Sequence, residues 1–248
     1  MKKLVAYITC AYPDEDFTED LILSLKDSGV DFVELGIPFS DPVADGPIIE
    51  EANLRALQNG FKIENLLNVS KKVGDKIDTL WMGYFNPFYK KGLDFYMEKA
   101  KEYGIKGFII PDLPYEESLA YKESYKDMPV SFIDFVAPTD SKERIELLTK
   151  DSKLFIYLVA YAGITGSGKN EDLSKVIEHI RQNTTTDIFL GFGVNEKTAK
   201  AKAKNVDGVI VGSAFVKILL DDSLTKSQKI VNISKLASII KSEINDRE

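Results

Sequence analysis

Short apolar runs alternate along the chain with longer stretches in which apolar residues recur every three or four positions. The runs are LVAYIT (4–9), FVELGI (32–37), TLWMGY (79–84), GFIIPD (107–112), VSFIDFVA (130–137), LFIYLVA (154–160), DIFLGFG (187–193) and DGVIVG (207–212). Each has strand length and is rich in β-branched or aromatic residues. The intervening periodicity predicts helices over 17–28, 48–58, 63–73, 88–103, 115–126, 140–149, 170–182, 195–204, 213–219 and 226–244. Strands that alternate with helices pair in parallel through helical crossovers. Eight such units over residues 1–248 predict one domain, a closed (β/α)₈ barrel. The alternative, an open doubly wound sheet, would carry a glycine-rich turn after its first strand. Here that strand runs into CAYPDED, which has no glycine.

A barrel of this kind keeps its chemistry at the carboxyl ends of its strands. The unusual residues of this chain fall there: GIPFSDPVADGP, PDLPYEES, AYAGITGSGKN, GFGV and VGSA follow strands 2, 4, 6, 7 and 8. Side chains alternate along a strand. In DFVELG, Phe32, Glu34 and Gly36 therefore share one face, and the apolar Val33, Leu35 and Ile37 share the face that packs under helices. Glu34 points to the barrel axis, where a lone carboxylate must be paired, hydrogen-bonded or protonated. A structural glutamate bonded to a neighbour and a catalytic acid–base group fit that pattern equally. Asp41 precedes Pro42 and reads as a turn residue. Asp45 precedes Gly46, Pro47 and a helix; it serves either as a helix cap or as a carboxylate held over the pocket by a proline-stiffened loop.

Tyr7, Met82, Tyr84, Ile109, Phe135, Tyr157 and Phe192 fall on inward strand positions or strand ends. They form an apolar slot for a ring, or simply fill the barrel. No basic side chain stands out among the loops to take an anion. The glycine turns GITG, GFG and GSA, at three successive strand ends, offer backbone amides instead, which suits a phosphate.

Composition removes several function classes. The formal charge is −7 with mixed signs along the chain, against a nucleic-acid surface. Cys10 is the only cysteine and His179, a surface helix residue by its setting, the only histidine. Disulfides, zinc sites and histidine-dependent triads are thus unexpected. No apolar run reaches membrane-spanning length. The start, MKKLVAYITCAYPDED, reads as a first strand rather than a signal peptide, which predicts a cytoplasmic protein.

The stretch ELGIPFSDPVADGPIIEEANLRAL (34–57) closely resembles the signature of the tryptophan synthase α subunit family. GFIIPDLPYEES, GITG, GFGV and VGSAFVK support the resemblance in order along essentially the whole chain. It implies a (β/α)₈ barrel that cleaves indole-3-glycerol phosphate to indole and glyceraldehyde 3-phosphate without a cofactor or metal of its own. It implies a β-subunit partner carrying pyridoxal phosphate, in an α₂β₂ heterotetramer. By position, Glu34 matches the family's acid–base glutamate and Asp45 its catalytic aspartate. Tyr157 matches a pocket tyrosine, and Thr165, Gly166, Gly193, Gly212 and Ser213 fall at the phosphate turns. Two departures stand out: Ala160 and Tyr161 replace small hydroxylated or basic residues, and the short N-terminus lacks the helix that closes the barrel floor. Side chains of Met1 to Lys3 are expected to cover the floor instead. The competing readings are another phosphate-binding barrel of aromatic amino-acid synthesis, a partner-activating subunit without activity, and, more distantly, a flavin-binding barrel.

Overall fold

The computed structural model describes residues 1–160 and 173–246. The strands are β1 (Lys3–Thr9), β2 (Phe32–Gly36), β3 (Asp78–Met82), β4 (Gly107–Ile109), β5 (Ser131–Phe132), β6 (Asp134–Val136), β7 (Phe155–Val159), β8 (Asp187–Gly191) and β9 (Gly208–Val211). All pair in parallel, in the order β5-β4-β3-β2-β1-β9-β8-β7-β6. The two ends of this sheet, β5 and β6, are halves of one stave interrupted at Ile133, so the predicted eight-strand barrel closes on itself. The lower half bonds to β4 and the upper half to β7, which is why the fifth predicted strand divides. A cavity of about 230 Å³ lies beside the break, lined on its outer side by Tyr115, Lys122, Asp134 and Arg144.

The helices are α1 (Glu15–Asp27), α2 (Pro47–Gln58), α3 (Ile63–Val73), α4 (Phe85–Lys91), α5 (Leu93–Tyr103), α6 (Tyr115–Ser124), α7 (Lys142–Thr149), α8 (Ser174–Asn183), α9 (Ala199–Lys202), α10 (Ser213–Leu219) and α11 (Lys226–Asn245). Two differ from expectation. The helix predicted over 88–103 is two helices, broken at Gly92, whose φ of 91° lies outside helical space. The helix predicted over 195–204 shrinks to α9, because the Asn195 side chain accepts from the amides of Lys197 and Thr198 and makes a turn of the first residues. Elsewhere local chemistry sets the ends: Asp14 caps α1 by accepting from Phe17 N–H at 2.9 Å, and Thr225 with Gln228 forms a capping box on α11. His179 is partly exposed on α8.

Alternation separates two cores. Leu4, Val33, Leu35, Trp81 and Phe108 face the helices. Val5, Phe32, Leu80, Ile109, Phe155, Tyr157, Phe189 and Ile210 fill the barrel. The floor corrects the expectation from the terminus. Met1 is 95% exposed and covers nothing. Three buried rings plug the barrel instead: Phe155 stacks on Phe189 at 4.3 Å, and Phe32 meets both edge-on at 6.2 and 5.9 Å. Below them the terminus contributes polar ties rather than cover. Lys2 N–H donates to Asn245 of α11, the Lys2 ammonium to the carbonyls of Ala203 and Val206, and Lys241 Nζ back to Lys2 O. The ring plug predicts that Phe155→Ala loses about 3–5 kcal/mol in urea denaturation, whereas Met1→Ala changes stability by less than ~0.5 kcal/mol. A loss under ~1 kcal/mol for Phe155→Ala would mean that other contacts close the floor.

Candidate active site

At the carboxyl end of the barrel, the ladder sets Tyr7 beside Glu34 and Glu34 beside Leu80. Glu34 is 2% exposed and faces inward, as its strand position predicts. The rings around it fit because their neighbours lack side chains. A Cβ on Gly36 would overlap the Tyr7 ring, and one on Gly191 would overlap that of Tyr157. These glycines keep two tyrosines folded across the mouth of the barrel. Phe135 lies 5.0 Å from Tyr157 and Phe192 meets it edge-on at 6.4 Å, so three predicted slot residues share one wall. Phe192 is 39% exposed and sits, with Gly193, at positive φ (72° and 68°), an uncommon backbone for a bulky residue. Ile109 packs in the barrel core opposite Met82, and Met82 bridges this core to a cluster of Tyr7, Ala52 and Val216.

Tyr84 serves differently from the rest. Its hydroxyl accepts from Ala44 N–H at 3.0 Å and hydrogen-bonds Asp45, while its ring stacks on Phe39 at 5.3 Å. It clamps the loop between β2 and α2 rather than standing free in a slot. Pro38 and Pro42 are buried under that loop, and Val43 projects from it, 83% exposed. Asp41 lies exposed at the turn, its carbonyl accepting from Val43 N–H. Asp45 is not the cap of α2; Gly46 holds that position. The Asp45 carboxylate accepts instead from Nδ2 of Asn53 at 3.3 Å.

The two carboxyls titrate apart. Burial, then the charge of Asp45, pushes Glu34 up to about 8. Burial also raises Asp45, but the Tyr84 hydroxyl and the Asn53 amide hold it to about 6, with Glu50 adding a small upward push. Near pH 7 the mouth thus presents a protonated carboxyl and an ionised one, the separation by environment that divides acid and base roles. Among the described residues, the buried side-chain polar atoms without a hydrogen-bond partner are Thr9 Oγ1, Glu34 Oε1 and Asn53 Oδ1, all from this end of the barrel. Leaving such atoms unpaired costs about 1–3 kcal/mol each, which points to groups reserved for a ligand.

The glycine turns lie nearby. Gly212 caps α10 ahead of the exposed Ser213, and a Cβ there would meet Ile49 of α2 and Tyr7. Gly193 is exposed, with the end of Lys202 3.5 Å from where its Cβ would be. Thr165 and Gly166, with Tyr161, lie outside the described residues. Sequence reasoning did not single out Asn53, Thr9 or Lys202. Asn53 had a legible signal, a polar residue on the apolar stripe Ile49–Ala52–Asn53–Ala56. Lys202 had none, since only the folded turn brings it to Gly193.

A (β/α)₈ barrel whose mouth sets a neutral carboxyl against an ionised one, over aromatic walls, belongs to the acid–base enzymes of the barrel class. A family model described as tryptophan synthase alpha chain matches residues 1–245. The tryptophan synthase alpha chain of Wolinella succinogenes is 57% identical over 246 residues, covering 99% of this chain and 96% of the relative. That of Dehalococcoides mccartyi is 42% identical, covering 91% of each. Among solved structures, the alpha subunit of tryptophan synthase from Campylobacter jejuni superposes with a TM-score of 0.86 at 34% identity, over 95% of both chains. Tryptophan synthase from M. tuberculosis, in an aminoacrylate-bound form, gives 0.86 at 26% identity over 98% of this chain and 94% of that one. The chain belongs to the tryptophan synthase alpha chain family.

The burial of Glu34 carries a stability consequence. Its folded value near 8 lies above its ordinary value of 4.5, so as pH rises the unfolded chain loses this proton first. Folding stability is therefore drained between about pH 4.5 and 8. Glu34→Gln, which cannot ionise, should match the wild type near pH 4 and exceed it at pH 8.5 by on the order of 4–5 kcal/mol. Urea denaturation at the two pH values measures this, and an equal difference at both would show that the carboxyl ionises freely in the fold.

Proposed function

We propose that Glu34 and Asp45 carry out the retro-aldol cleavage of indole-3-glycerol phosphate to indole and glyceraldehyde 3-phosphate. The supporting observation is the buried, unpartnered carboxyl of Glu34, neutral near pH 7, beside an ionised Asp45. Cleaving the carbon–carbon bond leaves an electron pair on the indole ring, which needs a place to go. Glu34 first donates its proton to ring carbon 3, and the ring nitrogen becomes an N–H-bearing cation. The Asp45 carboxylate hydrogen-bonds that N–H and balances the charge. The Glu34 carboxylate then takes the proton of the side-chain hydroxyl. The C–O bond becomes a carbonyl, the carbon–carbon pair flows into the ring, and the nitrogen is neutral again. Glu34 ends protonated, ready for the next turnover, and no cofactor or metal enters these steps.

Tyr157, Phe135 and Phe192 would flank the ring, with Tyr7 opposite and Met82 and Ile109 beneath. Amides at Gly193, Gly212 and Ser213 would bind the phosphate, with Lys202 supplying charge near Gly193; the GITG turn, with Thr165 and Gly166, would complete the set. The chain would act as one barrel domain in the cytoplasm. Its partner would be a β subunit bearing pyridoxal phosphate, in an α₂β₂ assembly, docked over the loop from which Val43 projects. Among the described residues no helix is long and apolar enough to cross a membrane.

Activity should require Asp45 ionised and Glu34 protonated, so kcat/KM for indole formation should follow a bell with limbs near pH 6 and 8. Glu34→Gln should lower kcat by at least ~10²-fold, and Asp45→Asn should lower it far more than Asp41→Asn. Retention of a tenth of wild-type kcat by Glu34→Gln would remove Glu34 from the proton transfers. A cognate β subunit should raise the rate at least ~10-fold, the scale of a typical coupling free energy between sites. Steady-state indole formation with and without it decides, an unchanged rate at saturation excluding the coupling.

A further inference from the structure

Asn53 is 2% exposed in the middle of α2, between the buried Ala52 and Ala56. Asparagine is a poor helix former, and nothing in the packing there calls for an amide. The neighbouring side chains Ile48, Ile49 and Ala52 meet the apolar Tyr7, Val216 and Leu220 cluster. A side chain chosen for structure alone would have both ends of its amide paired, yet only one is. Nδ2 donates to Asp45 Oδ2, and Oδ1 has no partner. Because a carboxylate only accepts, this bond fixes which end of the amide faces Asp45.

The groups that act on Asp45 come from several elements. Tyr7 of β1, Glu34 of β2, Glu50 of α2, Tyr157 of β7 and Tyr84 before α4 all interact with it electrostatically. Of the side chains around it, those of Tyr84 and Asn53 hydrogen-bond it. Tyr84 also accepts from Ala44 N–H and stacks on Phe39, so it is bound to the same loop it holds. Asn53 alone ties the carboxylate to a helix of the outer ring. That helix is itself anchored: Arg55, two residues on, bonds Glu51 and reaches Asp222 between α10 and α11 at 3.0 Å.

We propose that Asn53 is a positioning residue for Asp45, its amide holding the loop carboxylate ionised and aimed into the barrel mouth. The proposal rests on the role given to Asp45 above. The test uses the full chain with Asn53→Leu, close in shape but without a donor, and Asn53→Asp, close in shape but with a second carboxyl. The ¹³C carboxyl signal of Asp45, assigned through Asp45→Asn, is titrated in each. In Asn53→Leu its midpoint should rise by at least ~0.5 pH units, and further in Asn53→Asp, as loss of a hydrogen bond to the charged form and then a like charge require. The acid limb of kcat/KM should move with it. For Asn53→Leu kcat should fall about 10–100-fold, the scale of a hydrogen bond to a charged group, while KM changes by less than about threefold. An unmoved midpoint in a variant that keeps native circular dichroism and cooperative melting would overturn the proposal, as would a raised KM with kcat intact. Should Asn53→Leu not fold, Asn53→Ala takes the same readings. If the wild type forms no indole, the cleavage reading fails, and the Asp45 midpoint still decides whether Asn53 governs it.

Discussion

The whole arrangement depends on keeping one carboxyl, that of Glu34, away from water. An ionised carboxylate in a low-dielectric interior is strongly disfavoured, so the group holds its proton at a pH where an exposed glutamate would have lost it. The barrel supplies that environment by ordinary means. Phe32, Phe155 and Phe189 seal the floor, and the layer of Val5, Leu80 and Ile210 fills the middle. Tyr7 and Tyr157 roof the sides only because Gly36 and Gly191 leave them room. Charged residues at the floor, among them Lys2, Asp31 and Lys241, lie outside the ring plug and satisfy one another and the terminal backbone. The polar groups are thus sorted by position along the barrel axis, paired below and left open above. A fold that retains unpaired buried atoms at one end has to overcompensate elsewhere, and the continuous aromatic and aliphatic packing is where it does so.

Glu34 could be placed from local pattern because it lies on a strand. Alternation in DFVELG puts it inward, and the aliphatic outer face of the same strand admits only one register. The same rule placed Tyr7, Ile109, Phe135 and Tyr157, and the spacing of apolar runs and helical periodicity gave the barrel. What alternation does not give is depth along the axis or what a loop folds onto. Tyr84 stands just past the end of β3, where the alternation stops, and its hydroxyl turns to the β2–α2 loop instead of the slot. The floor was misjudged for a related reason. Sequence does not show that three phenylalanines from strands far apart in the chain meet at one level. Asn53 was legible in principle, since a polar residue on an apolar helical stripe asks for a partner. Its partner, eight residues earlier and across a loop, was not.

Asp45 and Glu34 divide their roles by how each is held. Glu34 comes from a strand interior and has no hydrogen bond on one oxygen, so burial, with a lesser push from the charge of Asp45, keeps its proton on. Asp45 comes from a loop and is offset by two donors, so its charge survives. Two acids of similar intrinsic strength become an acid and an anion because one lies in the wall and the other is presented from above. The loop therefore sets the charge pattern of this pair as much as the strand does. Its prolines, the Tyr84 clamp and the start of α2 limit the positions Asp45 can take.

The same helix links the acids to the glycine turn at Gly212. α2 begins two residues after Asp45, and its Ile49 lies where a side chain on Gly212 would reach, at the start of α10. The contact is apolar and close-packed, shared with Tyr7, Ala52 and Val216. Packed interfaces of this kind shift between discrete arrangements rather than deforming gradually. A ligand that fills the turn at Gly212 and one that draws on Asp45 therefore act on the two ends of one rigid segment. If each favours the same setting of that segment, each strengthens the other by an equal free energy. On the function proposed above, phosphate binding, remote from the bond that breaks, would then contribute to catalysis by fixing where Asp45 stands, the use of distant binding energy that a small barrel mouth with few polar groups most requires.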